Sequence, residues 1–377
     1  MEEDFTYGVL TAISCLAALQ GLLLAGILLF TKRFASKSNR FFAMTLVGVS
    51  VIILYDLFYY YFEEHEVYGY FLYLPIYIRS FIPIGLYFFV RFLIDPKSPM
   101  NRWERLWYAP ILLEIVLELA YIPTDVFLTE HDTIVADNML LILEESVGLF
   151  ICVVLLGLTI RKLNKHQKFL LNTYSSLLGK SLLWLRNLII VTLIIVVFWL
   201  FSHLQFIMGY DNEGTYAIVS LGMVLFLFWM GYFVILQFPL FQAVPYSELV
   251  SHVETPKQLS PKTAEYHKKL MQLMDEKSLY TDPELSLPYL AKKLQISSGY
   301  LSQIINEKEN KSFFEFVNHY RVEAVKAKLT NSEFDQYSIM GIALESGFNS
   351  KSTFNSLFKK FTGQTPTAYK KSFQAFT

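Results

Sequence analysis

The sequence has little cysteine and little charge. Two of its 377 residues are cysteine, which excludes a secreted scaffold held together by disulfides. Charged residues make up 17% of the chain, whereas soluble domains carry about 25%. The sequence also has none of the GxSxG, HExxH or Cys/His spacings that mark hydrolases and metal sites. We therefore expect no enzyme activity, no catalytic residue, no cofactor and no resident metal.

Apolar residues are abundant, at 54% of the chain, and the charges are unevenly placed. Residues 1–245 hold 15 basic and 19 acidic residues, whereas residues 246–377 hold 17 basic and 14 acidic residues. Between these parts, four prolines punctuate a polar stretch that cannot be one continuous helix, namely Pro239, Pro245, Pro256 and Pro261. We predict a membrane domain over residues 1–238, a linker over 239–259 and a soluble domain over 260–377.

Seven apolar segments are long enough to cross a bilayer, for which a helix needs about 20 residues. They are Val9–Phe30, Phe41–Phe62, Tyr70–Leu93, Trp103–Ile122, Met139–Ile160, Leu185–Ile207 and Thr215–Phe238. The sequence thus predicts an all-α protein, in which a bundle of seven transmembrane helices precedes a soluble domain.

The distribution of basic residues predicts how this bundle is oriented. The first, third and fifth connections hold Lys32, Arg33, Lys37, Arg40, Lys97, Arg102, Arg105, Arg161, Lys162, Lys165, Lys168 and Lys180. The N-terminal tail and the second, fourth and sixth connections contain acidic residues but no lysine or arginine. Because basic loops stay on the cytoplasmic side, we expect the N-terminus outside and the C-terminal domain in the cytoplasm.

Ionisable side chains inside the predicted spans are candidates for binding a signal, because burying a charge in lipid is costly. The candidates lie in the outer halves of their helices and are Asp56, Arg79, Glu114, Glu118, Glu144 and His203. One interpretation is an outward-open cavity for an unknown small molecule or envelope signal, with Arg79 paired to Glu114. The alternative is a set of polar contacts between helices that only fixes their packing.

The C-terminal part is predicted to form short helices that begin at serine caps. We expect helices over Pro261–Lys277, Leu287–Leu294, Ser298–Asn306, Ile339–Glu345 and Ser350–Phe361, with a longer helix that follows a capping box at Ser312 and ends at Leu329. The longer helix is a strut between two helix-turn-helix units, whose second helices can enter the DNA major groove. One apolar stripe is expected along the strut, formed by Phe313, Phe316, Val317, Tyr320, Ala324 and Ala327.

These residues carry a resemblance to a known family. Residues 342–369 read IALESGFNSKSTFNSLFKKFTGQTPTAY and resemble the C-terminal signature of AraC/XylS-type transcription regulators. Residues 300–302 and 316–321 are similar to the matching positions of the first unit and the strut. As a whole, the chain resembles the membrane-anchored bacterial members of that family, in which a multi-span sensor precedes the DNA-binding domain.

The resemblance implies double-stranded DNA as a partner and a set of groove-facing residues. They are Gly299, Ser302 and Gln303 in the first unit and Lys351, Ser352, Asn355 and Ser356 in the second. The amides of Gln303 and Asn355 suit adenine, and Lys351 suits guanine or phosphate. Phosphate contacts are expected from Ser298, Ser350, Thr353, Lys359 and Lys360. Glu307 and Glu309 depart from the family pattern and place negative charge beside the first unit.

The predicted function is that of a one-component regulator in the bacterial inner membrane, which senses a stimulus and binds specific DNA. The bilayer and a second copy of the chain are expected partners, since the DNA-binding domain is only mildly basic and a monomer would bind weakly. Coupling is expected to pass from the seventh span to the linker. The alternatives are a transporter-like protein with a DNA-binding tail, a structural tether for DNA, and a regulator released by proteolysis at the linker.

Overall fold

The computed structural model describes residues 2–62, 78–127, 130–236 and 262–374. Within these ranges the chain is helical and has no strand, apart from one isolated antiparallel bridge between Tyr174 and Ser286. The chain divides into two compact units. The N-terminal unit comprises Met1–Asn164 and Leu182–Pro245, and the C-terminal unit comprises Lys165–Ser181 and Tyr246–Thr377. The predicted linker, residues 239–259, lies outside the described residues.

The N-terminal unit is built on long apolar helices. Seven are described: α1 (Glu2–Phe30), α2 (Lys37–Phe62), α3 (Phe81–Ile94), α4 (Ala109–Phe127), α5 (Glu130–Thr173), α6 (Leu183–Ile207) and α7 (Glu213–Leu236). The last turns of α5 belong to the C-terminal unit. Short helical turns at Lys32–Phe34, Arg102–Arg105 and Leu106–Tyr108 connect them.

Five of the seven predicted spans correspond to described helices that are long and apolar enough to cross a membrane. These helical stretches are Gly8–Phe30, Lys37–Phe58, Met139–Thr173, Trp184–Ile207 and Glu213–Phe233. The other two predicted spans have shorter or more polar counterparts. Helix α3 has 14 residues, and the first part of its predicted span, residues 70–77, lies outside the described residues. Helix α4 has 19 residues and carries three acidic ones, Glu114, Glu118 and Asp125.

Helix α4 also begins later than the sequence pattern predicts. Asn101 and Glu104 form a capping box that starts a separate turn at Arg102–Arg105. The continuous helix begins only at Ala109, directly before Pro110. Proline favours the first turn of a helix, where a missing N–H costs nothing. The predicted span Trp103–Ile122 is therefore divided near its start.

Close contacts between small residues hold the N-terminal helices together. A Cβ atom built on Gly85 of α3 would lie 2.4 Å from Thr45 Oγ1 and 2.8 Å from the Phe41 carbonyl oxygen, both on α2. Ser38 Oγ of α2 donates to the Phe89 carbonyl of α3 at 2.8 Å. Such close backbone approach is the usual way in which helices pack in lipid, where apolar burial gives little driving force.

The C-terminal unit contains seven described helices besides the end of α5. They are α8 (Thr263–Asp275), α9 (Leu287–Leu294), α10 (Ser298–Glu309), α11 (Phe313–Leu329), α12 (Ile339–Glu345), α13 (Lys351–Thr362) and α14 (Pro366–Gln374). Short 3-10 turns lie at Leu279–Thr281 and Ser332–Phe334. The bounds of α9 and α12 agree with those predicted from the sequence. The predicted capping box at Ser312 is present, with both of its hydrogen bonds to Glu315.

The strut, α11, differs from the single apolar stripe that the sequence predicts. Phe313, Phe316 and Val317 are buried in the core of the first helix-turn-helix unit. Four further strut residues are buried in the core of the second unit, namely Phe314, Val322, Val325 and Leu329. Tyr320 and Ala324 are half-buried and Ala327 is exposed. The strut buries two faces because it belongs to two separate cores, so a one-stripe helical pattern cannot describe it.

Candidate functional site

Two helix-turn-helix units define the candidate nucleic-acid interface. The first consists of α9 and α10, joined by a turn in which Gln295 adopts a left-handed conformation and Ser297 caps α10. The second consists of α12 and α13, joined by a turn in which Gly347 has a φ of 94° and Ser350 caps α13. Each unit has the order helix, tight turn and helix that places a second helix for groove reading.

Glycine is required at position 347 because the turn passes close to two other segments. A Cβ atom there would lie 2.4 Å from the Tyr280 carbonyl oxygen and 2.8 Å from Arg321 Nε. The positive φ is also a conformation that residues with a Cβ rarely adopt. The turn of the second unit is therefore fitted closely against the strut and the loop that precedes α9.

The second reading helix, α13, presents most of its predicted DNA-contacting residues to solvent. Exposed side chains on this helix are Lys351, Ser352, Asn355, Ser356, Lys359 and Lys360. Ser350 and Thr353 are half-buried, and the Ser350 hydroxyl accepts a hydrogen bond from the Thr353 amide at 3.4 Å. The opposite face, formed by Phe354, Leu357 and Phe358, is buried in the core of the unit. The helix thus has one packed face and one polar face with amide, hydroxyl and ammonium groups.

The first reading helix, α10, is arranged differently. Ser298 and Gly299 are buried, and Ser302 and Gln303 are half-buried. The Gln303 amide donates to Glu307 at 2.9 Å, along the same helix. One predicted groove residue, Gly299, and one predicted phosphate contact, Ser298, are therefore covered, and the side-chain amide of Gln303 is engaged by a carboxylate.

Helix α8 packs beside α10 and contributes to this difference. Thr263 Oγ1 and Tyr300 Oη lie 2.9 Å apart, and the Tyr266 and Tyr300 rings meet edge to face at 5.9 Å. His267 Nε2 lies 2.7 Å from a carboxylate oxygen of Glu309. Nothing in the local pattern of residues 298–309 signals these contacts, because their partners lie in another helix.

Lys360 joins α13 to the strut. Its ammonium group donates to Glu315 at 2.7 Å, and this hydrogen bond lowers the pKa of the Glu315 carboxyl. Lys359, its neighbour, is exposed. Of the two lysines predicted to contact phosphate, Lys360 therefore already has an acidic partner.

Arg321 lies in the middle of the strut, at the junction of the two helix-turn-helix units, and is 1% exposed. Its guanidinium donates to the carbonyl oxygens of Tyr280 and Asp282, each at 2.7 Å, and to the carbonyl and hydroxyl oxygens of Ser175 at 3.1 and 2.9 Å. Burial lowers the pKa of Arg321 to about 10, so the group stays charged at neutral pH. Arg321 falls within the strut residues that resemble the family, but no local sequence signal predicts its hydrogen bonds to Ser175.

A polar network is buried in the N-terminal unit. Arg79 forms a salt bridge with Glu144, and its guanidinium lies 3.5 Å from Glu145. His203 Nδ1 lies 2.7 Å from Glu145, and its Nε2 lies 2.9 Å from the Ser146 hydroxyl. Three of the six predicted sensing residues, Arg79, Glu144 and His203, are therefore brought together, with Glu145 as the bridge.

The other three predicted sensing residues have different surroundings. The expected pairing of Arg79 with Glu114 is replaced by the bridge to Glu144, whose carboxylate faces the guanidinium. Glu114 instead accepts hydrogen bonds from the amide and hydroxyl of Ser80, at 3.0 and 2.9 Å. Glu118 is buried one turn further along α4, and Asp56 accepts a hydrogen bond from the Tyr216 hydroxyl at 3.2 Å. The depth of a residue along its helix does not determine which carboxylate lies next to Arg79, because the pairing also depends on how each helix is rotated about its axis.

A small cavity of about 80 Å³ lies in the same unit and has Arg79 in its wall. The rest of the lining is mostly apolar and includes Ile52, Val196, Trp199 and Met223, with Tyr216 as a further polar group. A mainly apolar cavity with a few polar groups is the common form of a small-molecule site.

Comparison with known proteins identifies the type of domain in the C-terminal unit. Residues 290–372 match the family model described as a helix-turn-helix domain. An uncharacterized HTH-type transcriptional regulator from Staphylococcus aureus is 35% identical over 109 residues, which is 29% of this chain and 14% of the relative. The melibiose operon regulatory protein of Escherichia coli is 29% identical over 90 residues, which is 24% of this chain and 29% of that protein. Residues 290–372 thus form an AraC-type helix-turn-helix domain, a type found in DNA-binding transcription regulators.

The chain spans about a seventh of the length of the staphylococcal relatives that it matches. A solved structure of a protein of unknown function from Listeria innocua aligns over 28% of this chain and 94% of that chain, with 27% identity and a TM-score of 0.25. That TM-score is too low to carry an argument about the fold.

Proposed function

We propose that the protein is a membrane-bound transcription regulator that binds specific double-stranded DNA through its C-terminal unit. The observation that carries this proposal is the exposed polar face of α13, with Lys351 and Asn355, within a matched helix-turn-helix domain. An asparagine amide can pair with adenine through two hydrogen bonds, and a lysine can reach guanine or phosphate. Gln303 is the corresponding amide of the first unit, where DNA would have to compete with Glu307.

The membrane part of the proposal is supported by the five long apolar helices and by the alternation of basic and acidic connections. We propose that seven spans cross the bacterial inner membrane, with the N-terminus outside. A bound stimulus would act at the cavity and polar network around Arg79, and a second copy of the chain would strengthen DNA binding.

The DNA part is tested with the full-length chain in lipid nanodiscs and a pool of genomic DNA fragments. We expect the wild-type chain to retain a small set of fragments that share a sequence. The Asn355→Ala variant should lose that set, because the bidentate contact is removed. Lys269→Ala is the matched control, since Lys269 is an exposed residue of α8 that pairs with Glu265. Retention of the same fragments by both variants would contradict the proposal.

The sensing part is tested by replacing Arg79 with glutamine and following expression of a gene next to a recovered site. A sensing role predicts that the variant inserts normally but gives output that no longer follows the stimulus. Removal of the membrane domain, residues 1–238, separates a regulator from a tether. A regulator predicts altered, stimulus-independent expression, whereas a tether predicts a shifted position of the DNA locus with little change in expression, which would contradict a regulator.

A further inference from the structure

Eight residues between α5 and α6 belong to the C-terminal unit, although they lie within the predicted membrane domain. They are residues 174–181, which we call the docking segment. Tyr174 forms the isolated bridge with Ser286, and both the amide and the hydroxyl of Ser175 donate to the Leu285 carbonyl, at 3.2 and 2.7 Å. Ser286 is the N-cap of α9, so this first contact lies at the start of the first helix-turn-helix unit.

The docking segment also binds the strut. The Ser175 carbonyl oxygen accepts hydrogen bonds from Asn318 at 2.9 Å and from Arg321 at 3.1 Å, and its hydroxyl accepts a further one from Arg321 at 2.9 Å. Ser175 is 1% exposed, and Asn318 and Arg321 are equally buried. Fully buried hydrogen bonds to a charged donor are among the stronger polar contacts in proteins.

A third contact reaches the second helix-turn-helix unit. The Ser176 hydroxyl donates to the side-chain oxygen of Asn349 at 2.8 Å. Asn349 directly precedes Ser350, the N-cap of the reading helix α13. Leu171 and Leu177 pack against the core of this unit, and Lys180 pairs with Glu284 at 2.9 Å. One short segment is therefore bonded to both units and to the strut between them.

The position of these contacts bears on DNA binding. Segment residues bond at Ser286 and Asn349, at the N-terminal ends of α9 and α13. In helix-turn-helix proteins, backbone amides at helix N-termini face the DNA phosphates. We propose that the docked segment lies at the edge of the DNA-facing surface of the C-terminal unit, beside the exposed face of α13, and competes with DNA for the phosphate contacts at these helix ends. The docking surface thus fits a partner within the same chain, and the inference rests on the proposed DNA-binding function.

The same placement offers a route for coupling. The docking segment is flanked by α5 and α6, both of which contain stretches long and apolar enough to span a membrane. A change in either helix would move residues 174–181 directly, without involving the linker at 239–259. A ligand that favours the arrangement in which the segment is undocked would raise DNA affinity, provided that it binds the two states differently.

Two variants of the full-length chain in lipid nanodiscs test whether the segment competes with DNA. The DNA probe is the set of fragments that the wild-type chain retains. Ser175→Trp cannot fit its buried site and should release the segment. Leu178→Trp is the matched control, because Leu178 is 57% exposed in the same segment. We expect DNA affinity to rise about tenfold with Ser175→Trp and to stay within about twofold of wild type with Leu178→Trp, in the range typical of coupled sites.

A reversible cross-link covers the case in which Ser175→Trp disturbs folding. Ser176→Cys and Asn349→Cys are introduced together, in a background where Cys15 and Cys152 are alanine. The oxidised form should bind DNA about tenfold more weakly than the reduced form, and a reductant should restore binding. Equal or tighter binding by the oxidised form would overturn the competition while leaving the DNA-binding function intact. Absence of sequence-specific binding in every form, the reduced form and wild type included, would overturn both.

Discussion

The two helix-turn-helix units share one order of elements but differ in how their reading helices are held. Helix α13 is packed on one face only, and Lys351, Ser352, Asn355 and Ser356 are exposed on the other. Helix α10 has its first residues buried and its Gln303 amide bonded to Glu307. The two helix-turn-helix units therefore have the same order of elements but are not equally suited to contact DNA bases. We expect the second unit to supply most of the sequence specificity, and the first to act mainly through position.

The largest expected effect comes from replacing Arg321, because this residue supports both helix-turn-helix units. Arg321→Leu deletes a buried cation that donates to Tyr280, Asp282 and Ser175 and leaves those oxygens without their donor. We expect a loss of about 3 kcal/mol or more in the free energy of unfolding of the C-terminal unit. Hydrogen exchange should accelerate in α9 and α13 alike. Lys326→Leu, on the same helix, should change stability by under about 0.5 kcal/mol, and similar effects from both variants would refute a special role for Arg321.

Two alanine substitutions, one in each reading helix, measure how much each side-chain amide contributes to DNA affinity. Asn355→Ala should lower affinity for the recovered DNA by about 1–3 kcal/mol, which is the value of a bidentate base contact. Gln303→Ala should cost under about 0.5 kcal/mol, because its amide is already bonded to Glu307. Fluorescence anisotropy at fixed salt gives both values. Equal losses would show that DNA displaces Glu307 and that the two units read equally.

Helix formation in the C-terminal unit was predictable, because its signals are local. The bounds of α9 and α12 follow from such signals, because Pro288 lies in the first turn of α9 and the Ser338 side chain caps α12. Contacts between distant residues were not predictable. The bond from Arg321 to Ser175 joins positions 146 residues apart, and the bridge from Arg79 to Glu144 joins positions 65 apart. Such partners depend on how helices are rotated and packed, which periodicity alone leaves undetermined.

The first unit is expected to bind DNA better when its acidic restraint is removed. Glu307→Gln cancels a negative charge on α10 and weakens the hold on the Gln303 amide. Affinity should rise about threefold at about 50 mM salt and less at about 200 mM, since the gain is largely electrostatic. Glu276→Gln, an exposed residue after α8, is the control. No gain over that control would mean that α10 lies away from the DNA.

The smallest expected effect concerns the pair that ties α13 to the strut. Lys360→Ala removes the salt bridge to Glu315, which is partly exposed and worth under about 1 kcal/mol. Bonding to Lys360 lowers the pKa of Glu315 in the folded state, so this stability is present above the ordinary carboxyl range and is lost as pH falls through the lowered value. Hydrogen exchange of α11 should therefore differ between variant and wild type at neutral pH and converge in acid. A difference that persists in acid would contradict this origin.

The most direct test of the central claim, that a membrane-bound chain reads DNA mainly through its second unit, is footprinting of DNA across the genome in intact cells. The full-length chain, recovered in the membrane fraction, should protect discrete sites that share a sequence. Asn355→Ala should lose these sites, and Gln303→Ala should keep them. Protection lost equally in both variants, or found only with a fragment released into the soluble fraction, would contradict the account.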